Sequence, residues 1–464
     1  MTETPQSASS AQPSSPGRYR WTICALLFFS VAVNYIDRLV IGILKKPLSA
    51  QLGWTDADYG HIAAAFSFAY AFGYLFGGRL MDRWGVKRGL PMFVLAWSVA
   101  ATAHGLCGFI GVQEQFRMSY PWFSFAEKGI VWVTLALPMT AAGFMFARIA
   151  LGLTEGGNFP GAIKAVAEWY PVKERAFATG LFNAGTNVGA IICPVAVPWI
   201  FKHLGWETTF YLTGATGFIW VAAWWWIYET PEKHPRLSPA ELHYIKEGQP
   251  AIQDKPVKMP WLALLRYRAV WAYVLASILA GPAWGFYQFF IPDFLDKSFH
   301  ISLQAIGWWT GAFFCIAAVG GVLGGWLAGK LMTRGWSVNG ARKISLLICA
   351  LAVVPVFFAP FAGSVGLAVF IVGIAGSAHQ GWSANLFSVV SDTMPKEAIS
   401  SVVGLGGFVA YFTGGFVNEF TGLILQKTGS YVSVFGYFSG MYLLSLLAIQ
   451  LLVPRIGPPK TNPA

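Results

Sequence analysis

Charged residues are scarce in this chain of 464 residues. Asp, Glu, Lys and Arg together make up 11% of it, whereas 55% is hydrophobic and 16% is aromatic. An ordinary soluble domain is about 25% charged, so a water-soluble fold of this length could not solvate its surface with so few charges. The composition therefore predicts that lipid is the solvent for much of the chain.

Paired cysteines and catalytic motifs are also lacking. The five cysteines lie singly in apolar stretches, without the spacing of a metal site or a disulfide framework. The chain has no phosphate-binding Gly-Lys-Ser/Thr loop, no Gly-x-Ser-x-Gly elbow and no histidine spacing for a metal. These absences argue against an ATP-driven pump, a hydrolase and a metalloenzyme. We expect neither enzymatic activity nor a cofactor.

Basic residues give the chain a formal net charge of +11, but they lie in short clusters between apolar stretches. No basic domain or tail is present, so we expect no nucleic-acid partner. Most of the 32 Lys and Arg residues fall on one side if the N-terminus is inside. This bias predicts a multi-pass protein of the cell inner membrane with both termini in the cytoplasm.

About twelve apolar stretches are long enough to cross a bilayer, which takes roughly 20 residues per helix. They predict an all-α membrane protein whose twelve transmembrane helices form two pseudo-symmetric six-helix halves. The fourth stretch, 131–154, follows a long outer connection at 112–130. From the N-terminus we expect a disordered cytoplasmic tail, the first half, a cytoplasmic central loop, the second half and another cytoplasmic tail, at 1–17, 18–228, 229–268, 269–455 and 456–464.

A motif that follows the second stretch is partly repeated after the eighth. Gly78–Arg88 reads GRLMDRWGVKR, and Gly325–Lys330 reads GWLAGK. The equivalent positions in the two halves support a duplicated six-helix unit. The first copy resembles the signature loop of the major facilitator superfamily, with every position of that motif filled.

Other segments narrow this resemblance, which covers about residues 18 to 455. NYIDR at Asn34–Arg38 and RIALGLTEGGNFP at Arg148–Pro160 resemble the anion:cation symporter family. Ala162–Gly189 and Ala378–Phe387 are most similar to its hexuronate-transporter branch. The resemblance implies the major facilitator fold and a small organic anion carried with protons, and we expect a monomer. The connection at 112–130 is unfamiliar in this family.

Four charged residues are expected at membrane depth: Asp37, Arg38, Arg148 and Glu155. A charge there costs at least about 2.5–3.5 kcal/mol, so it must be paired, hydrated or functional. Asp37 and Arg38 are adjacent, about 100° apart on a helix, so at most one faces a central cavity squarely. An arginine there suits a substrate carboxylate because it donates two parallel hydrogen bonds, and a structural ion pair is the alternative.

Arg148 and Glu155 lie two turns apart, on one face of the fourth helix. The resemblance implies that Glu155 is a protonation site and that Arg148 lies near the substrate path. A low-dielectric cavity favours the protonated form of a carboxylic acid, as a proton carrier needs. We assign proton coupling to Asp37 and Glu155. A salt bridge between Arg148 and Glu155 that only packs helices is the alternative.

Further polar side chains in apolar helices are candidate substrate ligands. Tyr35 and Tyr70 match aromatic hydroxyls that line the cavity in this family. Thr186 stands where aldonate-transporting relatives carry a substrate-contacting Gln. Lys164 is also a candidate ligand, and the alternative is that its side chain extends to water at the end of the helix. The others offer the hydrogen bonds that a hydroxyl-rich sugar needs, with interhelical bonding as the alternative: Tyr287, Gln288, His379, Gln380 and Asn385.

The signature loop implies a charge lock that steadies the outward-facing state, so its residues are assigned to gating: Gly78, Asp82, Arg83, Gly85, Lys87 and Arg88.

We expect proton-coupled symport of a sugar-acid anion, with a hexuronate as the leading candidate. Another organic anion, such as an aldonate or an aromatic carboxylate, is one alternative. A sugar-phosphate/phosphate antiporter, the second, would need several arginines around a dianion. A membrane sensor, the third, would carry a sizeable soluble domain.

Overall fold

The computed structural model describes residues 17–111, 113–124, 129–246, 261–394 and 396–457. The first half contains α1 (Tyr19–Ile43), α2 (Lys45–Leu52), α3 (Asp56–Trp84), α4 (Val86–Leu106), α5 (Met139–Glu155), α6 (Asn158–Trp169) and α7 (Val172–Ile227). Two short helices follow, α8 (Pro239–Lys246) and α9 (Trp261–Leu264). The second half contains α10 (Arg268–Ala280), α11 (Pro282–Phe299), α12 (Leu303–Thr333), α13 (Val338–Val353), α14 (Val365–Thr393), α15 (Lys396–Thr428) and α16 (Val432–Leu452).

In the described part of the chain, nine helical stretches are long and apolar enough to cross a membrane. One of them comes from α7, which contains two helices that meet at Gly205. Gly205 has a φ of 81°, a backbone conformation that glycine adopts without steric cost. The sequence predicts the fifth and sixth helices at 173–201 and 206–228, and this break lies between them. The total of twelve helices stays a prediction.

An antiparallel hairpin interrupts the helical pattern. β1 (Gln115–Ser124) pairs with β2 (Gly129–Pro138), in a register that places Gln115 opposite Pro138. The predicted fourth stretch, 131–154, was therefore wrong at its start, because 131–138 is strand and α5 begins at Met139. Val, Trp and Thr in this run favour strands, and its apolar composition concealed that preference. The helical crossing continues instead beyond Glu155 into α6.

Contacts between loops and helix ends define two faces of the bundle. At the near face, where α1 begins and α16 ends, Arg20 Nε lies 2.9 Å from Glu174 Oε2. At the far face, where α1 ends and α3 begins, Trp54 Nε1 donates to Thr140 Oγ1 at 3.0 Å. Of the predicted soluble segments, 1–16, 247–260 and 458–464 lie outside the described residues.

The two halves pack tightly from the far face to the middle of the bundle. α3 crosses α15 at Gly60, where an added Cβ would lie 2.8 Å from the Cα of Gly422. Small residues permit such close backbone approach. Deeper in the bundle, the ring centroid of Phe68 lies 5.2 Å from that of Phe412 and 5.0 Å from that of Phe416. These contacts close the far-face part of the interface.

Candidate functional site

A cavity of about 320 Å³ lies between the two halves, a size typical of small-molecule sites. Phe387 and Val403 extend its wall along the near-face ends of α14 and α15. Because the far-face part of the interface is closed, the cavity faces the near side. Its polar and aromatic lining comes from both halves and includes Tyr35, Ser67, Tyr70, Tyr74, Asn183, Trp284, His379, Gln380, Ser383 and Tyr411.

A buried ion pair joins α1 to α5 beside this cavity. Arg38 Nε and Nη2 both donate to Glu155 Oε2, at 3.1 and 2.9 Å. The side chains are 1% and 0% exposed. Arg38 Nη2 also donates to Asn34 Oδ1 at 3.1 Å. The carboxylate of Glu155 is therefore bound by Arg38, and not by Arg148 as in the salt-bridge alternative.

Aromatic rings separate the guanidinium of Arg38 from the cavity. Its central carbon lies 4.5 Å from the ring centroid of Tyr70 and 5.0 Å from that of Tyr35, within cation–π range. Arg38 Nη1 donates to the hydroxyl of Tyr411 at 3.5 Å. All three tyrosines line the cavity, so Arg38 lies one layer of side chains behind its wall.

Asp37 and Arg148 are buried as well, and neither lines the cavity. Neither carboxylate oxygen of Asp37 accepts a hydrogen bond of normal geometry from a described residue, although Thr213, Arg148 and Glu155 are close enough to interact with it. Arg148 Nη1 donates to the backbone oxygen of Arg38 at 3.2 Å. The remaining nitrogens of Arg148, Nε and Nη2, have no hydrogen-bond partner within the described ranges. The carboxylate of Asp37 can therefore take up a proton, and the two free nitrogens of Arg148 can donate to water.

Four of the predicted substrate ligands line the cavity. Tyr35 and Tyr70 come from the first half, and His379 and Gln380 from the second. His379 is fixed by a 2.6 Å hydrogen bond between its Nδ1 and the hydroxyl of Tyr442. The structure thus brings polar groups of α14 opposite the tyrosines of α1 and α3.

The other predicted ligands lie away from the cavity wall. Thr186 Oγ1 donates to the backbone oxygen of Asn183 at 2.8 Å. Asn385 Nδ2 donates to Gly324 O at 2.9 Å, which joins α14 to α12. Lys164 Nζ donates to Met81 O at 3.2 Å, near the near-face end of α3. Two further residues are buried in α11 outside the lining: Tyr287 and Gln288.

The predicted gating residues lie where α3 meets α4 at the near face. Gly85 joins the helices with φ 72° and ψ 160°, a conformation essentially reserved for glycine. Lys87 Nζ donates to Glu229, and this hydrogen bond holds the pKa of Glu229 below its ordinary value. Gly78 and Asp82 belong to the last turns of α3, and the side chains of Arg83 and Arg88 are exposed. Their gating role stays a prediction.

Sequence reasoning missed Trp284 and Tyr411. The indole of Trp284 stacks on His379, with ring centroids 5.5 Å apart and planes 7° apart. Both missed residues have small neighbours that also line the cavity: Gly281, Gly285, Gly406, Gly407 and Gly414. An aromatic residue flanked by glycines within an apolar helix was the available signal, since glycine leaves open space beside the ring.

Comparisons with known proteins agree with this architecture. The family model described as "Major Facilitator Superfamily" matches residues 27–418. The hexuronate transporter of Escherichia coli (strain K12) is 29% identical over 439 residues, covering 93% of each chain. The probable galactarate/D-glucarate transporter GudP of Bacillus subtilis (strain 168) is 28% identical over 94% of this chain and 92% of its own. The D-galactonate transporter of Escherichia coli O6:H1 is 27% identical over 95% and 98%.

Solved structures show the same fold at low sequence identity. The D-xylose-proton symporter has a TM-score of 0.68 at 13% identity, covering 95% of this chain and 98% of that chain. A bacterial homolog to the human lysosomal transporter Spinster, inward-facing and unoccupied, has a TM-score of 0.66 at 19% identity, covering 95% and 96%. These likenesses confirm the major facilitator fold expected from the sequence, and the β1–β2 hairpin departs from the expected all-α architecture.

Proposed function

The chain belongs to the Major Facilitator Superfamily, and we propose that it imports a sugar-acid anion together with protons. It is a multi-pass transporter of the inner membrane and not an enzyme. The hexuronate, galactarate and galactonate relatives support a sugar acid as its substrate. A hexuronate, glucuronate or galacturonate, is the leading candidate.

The buried Arg38–Glu155 pair is the observation that carries this proposal. Glu155 occupies Nε and Nη2 of Arg38, two donors that a substrate carboxylate would use. Protonation of Glu155 removes its charge and weakens its hold on Arg38, because hydrogen bonds to ionised groups are the strong ones. The freed guanidinium then binds the anion once the layer of tyrosine rings between it and the cavity opens. Proton and anion binding are linked through this competition.

The remaining cavity groups suit a hydroxylated sugar. His379, Gln380, Ser383 and Asn183 present neutral donors and acceptors to the cavity. Asp37 supplies a second protonation site beside the ion pair. In the proposed cycle, Asp37 and Glu155 take protons from outside, the anion binds, and the two halves rock to release both at the near face. The distribution of Lys and Arg supports the assignment of the near face to the cytoplasm.

Uptake into proteoliposomes tests the proposal. Radiolabelled glucuronate, galacturonate, galactonate and a sugar phosphate are compared under an imposed inward proton gradient and under an inward sodium gradient. We expect a hexuronate to accumulate with protons and not with sodium, since in the described part of the chain no third acidic side chain joins Asp37 and Glu155 to form a cation site. Uptake that requires sodium and ignores pH would contradict proton coupling.

The same panel tests the alternatives. The D-galactonate relative favours an aldonate as a second candidate substrate, in which case galactonate outcompetes both hexuronates. Among the described residues, Arg38 is the only arginine with a hydrogen bond or cation–π contact to a cavity-lining side chain. A dianion exchanger needs several such arginines. Exchange of a sugar phosphate for phosphate would nevertheless establish the antiporter.

A further inference from the structure

Tyr411 connects the second half of the transporter to the Arg38–Glu155 pair. It lies on α15, lines the cavity, and places its hydroxyl 3.5 Å from Arg38 Nη1. Within the described ranges, every other side chain that bonds or stacks against the guanidinium comes from the first half: Asn34, Tyr35, Phe66, Tyr70 and Glu155.

The direction of this hydrogen bond leaves a donor available. A guanidinium only donates, so the oxygen of Tyr411 accepts from Arg38 Nη1. The hydroxyl hydrogen of Tyr411 is then free, and no described residue within reach accepts it. The ring of Tyr411 is held against Tyr70, with centroids 4.3 Å apart. A fixed hydroxyl therefore presents an unused O–H group at the cavity, directly beside Nη1 of Arg38.

We propose that Tyr411 donates a hydrogen bond to the carboxylate of the bound sugar acid, next to Arg38. This assignment rests on the proposed transport of a sugar-acid anion. The carboxylate accepts from Arg38 of the first half and from Tyr411 of the second half. One group of the substrate thereby bridges both halves. A ligand that gains contacts only when the halves approach shifts the population toward the closed state.

Removal of the hydroxyl tests this bridge. Tyr411→Phe keeps the ring that packs on Tyr70 and deletes only the donor. We expect its affinity for glucuronate to fall about tenfold, the loss that follows from one hydrogen bond to a charged group. Affinity for glucuronamide, which lacks the carboxylate charge, should change less than twofold. Isothermal titration of the purified proteins measures both dissociation constants.

Tyr437→Phe is the matched control. Tyr437 also belongs to the second half, on α16, and packs on Phe438 outside the cavity lining. We expect this variant to bind both ligands like the parent. Melting temperatures of the three proteins verify that the fold is retained.

The outcomes separate this inference from the proposed function. Unchanged glucuronate affinity in Tyr411→Phe contradicts the bridge, and so does an equal loss of acid and amide, which would indicate a packing role. A parent protein that binds no sugar acid at all contradicts the proposed function instead.

Discussion

Two clusters of buried charge differ in how completely their members are paired. At the far face, Lys45 Nζ lies 2.7 Å from both Asp56 Oδ1 and Asp293 Oδ2. Lys297 also contacts Asp56, and the hydroxyl of Tyr431 donates to Asp293. Because Asp293 belongs to the second half and Lys45 to the first, this cluster fastens the two halves together.

The central cluster, which consists of Asp37, Arg38, Arg148 and Glu155, leaves polar atoms unpaired. Within the described residues these include both oxygens of Asp37, Oε1 of Glu155, and Nε and Nη2 of Arg148. Among the same described residues, the far-face cluster contains no buried side-chain nitrogen or oxygen without a partner. A fully paired network favours one arrangement, whereas a partly paired one can exchange partners at low cost. The comparison supports the proposal that the central cluster exchanges protons and substrate, while the far-face cluster holds the two halves together.

Glu155→Gln gives the largest expected effect on this comparison. Glutamine retains a side-chain oxygen for Arg38 but cannot take up and release a proton, so accumulation driven by a proton gradient should fall to the level seen without one. Substrate binding and counterflow should persist. Proton-driven uptake, counterflow and melting temperature are measured together.

The same change at Glu168 serves as its control, since Glu168 accepts from Tyr228 at 2.8 Å outside the cavity lining. Simultaneous loss of uptake, binding and thermal stability in Glu155→Gln would instead support a purely structural ion pair.

Arg38→Lys should reduce sugar-acid uptake by at least about tenfold although the charge is retained. A guanidinium holds a carboxylate with two parallel hydrogen bonds, and an ammonium cannot reproduce that geometry. Uptake rate and substrate affinity are measured. Arg20→Lys, at the near-face pair with Glu174, is the matched control and should transport normally. Parental binding by Arg38→Lys would leave only a structural role for Arg38.

Lys45→Met should lower stability by up to about 3 kcal/mol, because removal of one partner strands a buried charge on Asp293. Lys297, 3.9 Å from Asp293, limits the loss. Addition of Asp293→Asn should recover part of it, and a double-mutant cycle of thermal unfolding measures this coupling. Strictly additive effects would show that Lys45 and Asp293 do not stabilise each other.

Lys46→Ala should have the smallest effect, within about 0.5 kcal/mol. Lys46 Nζ lies 2.5 Å from Asp296 Oδ1, but the lysine side chain is 49% exposed and solvent screens the pair. Thermal unfolding at low and high salt measures this contribution. A loss as large as that of Lys45→Met would remove the distinction between the buried far-face cluster and the exposed Lys46–Asp296 pair.

The sequence predicted the fold because hydrophobic length and the scarcity of charge are local properties. It also identified Asp37, Arg38, Arg148 and Glu155, since a charge within an apolar helix is costly and therefore conspicuous. It did not predict that Glu155 pairs with Arg38. That choice depends on how α1 packs against α5, which no spacing within one helix encodes.

The hairpin and the missed cavity residues have related causes. Residues 131–138 are as apolar as a membrane helix, and pairing with β1 is a long-range property that composition does not report. Trp284 and Tyr411 look like ordinary packing residues within their own helices. Their position beside the cavity follows only from the meeting of the two halves.

The four buried charges of the central cluster have an electrical consequence. Arg38 and Arg148 balance Asp37 and Glu155, so the site is formally neutral when both carboxylates are ionised. If both carboxylates carry a proton, import of a monoanion moves one net positive charge inward. An inside-negative membrane potential then adds about 2.3 kcal/mol per 100 mV to the driving force. With a single coupled proton, the same import is electrically silent.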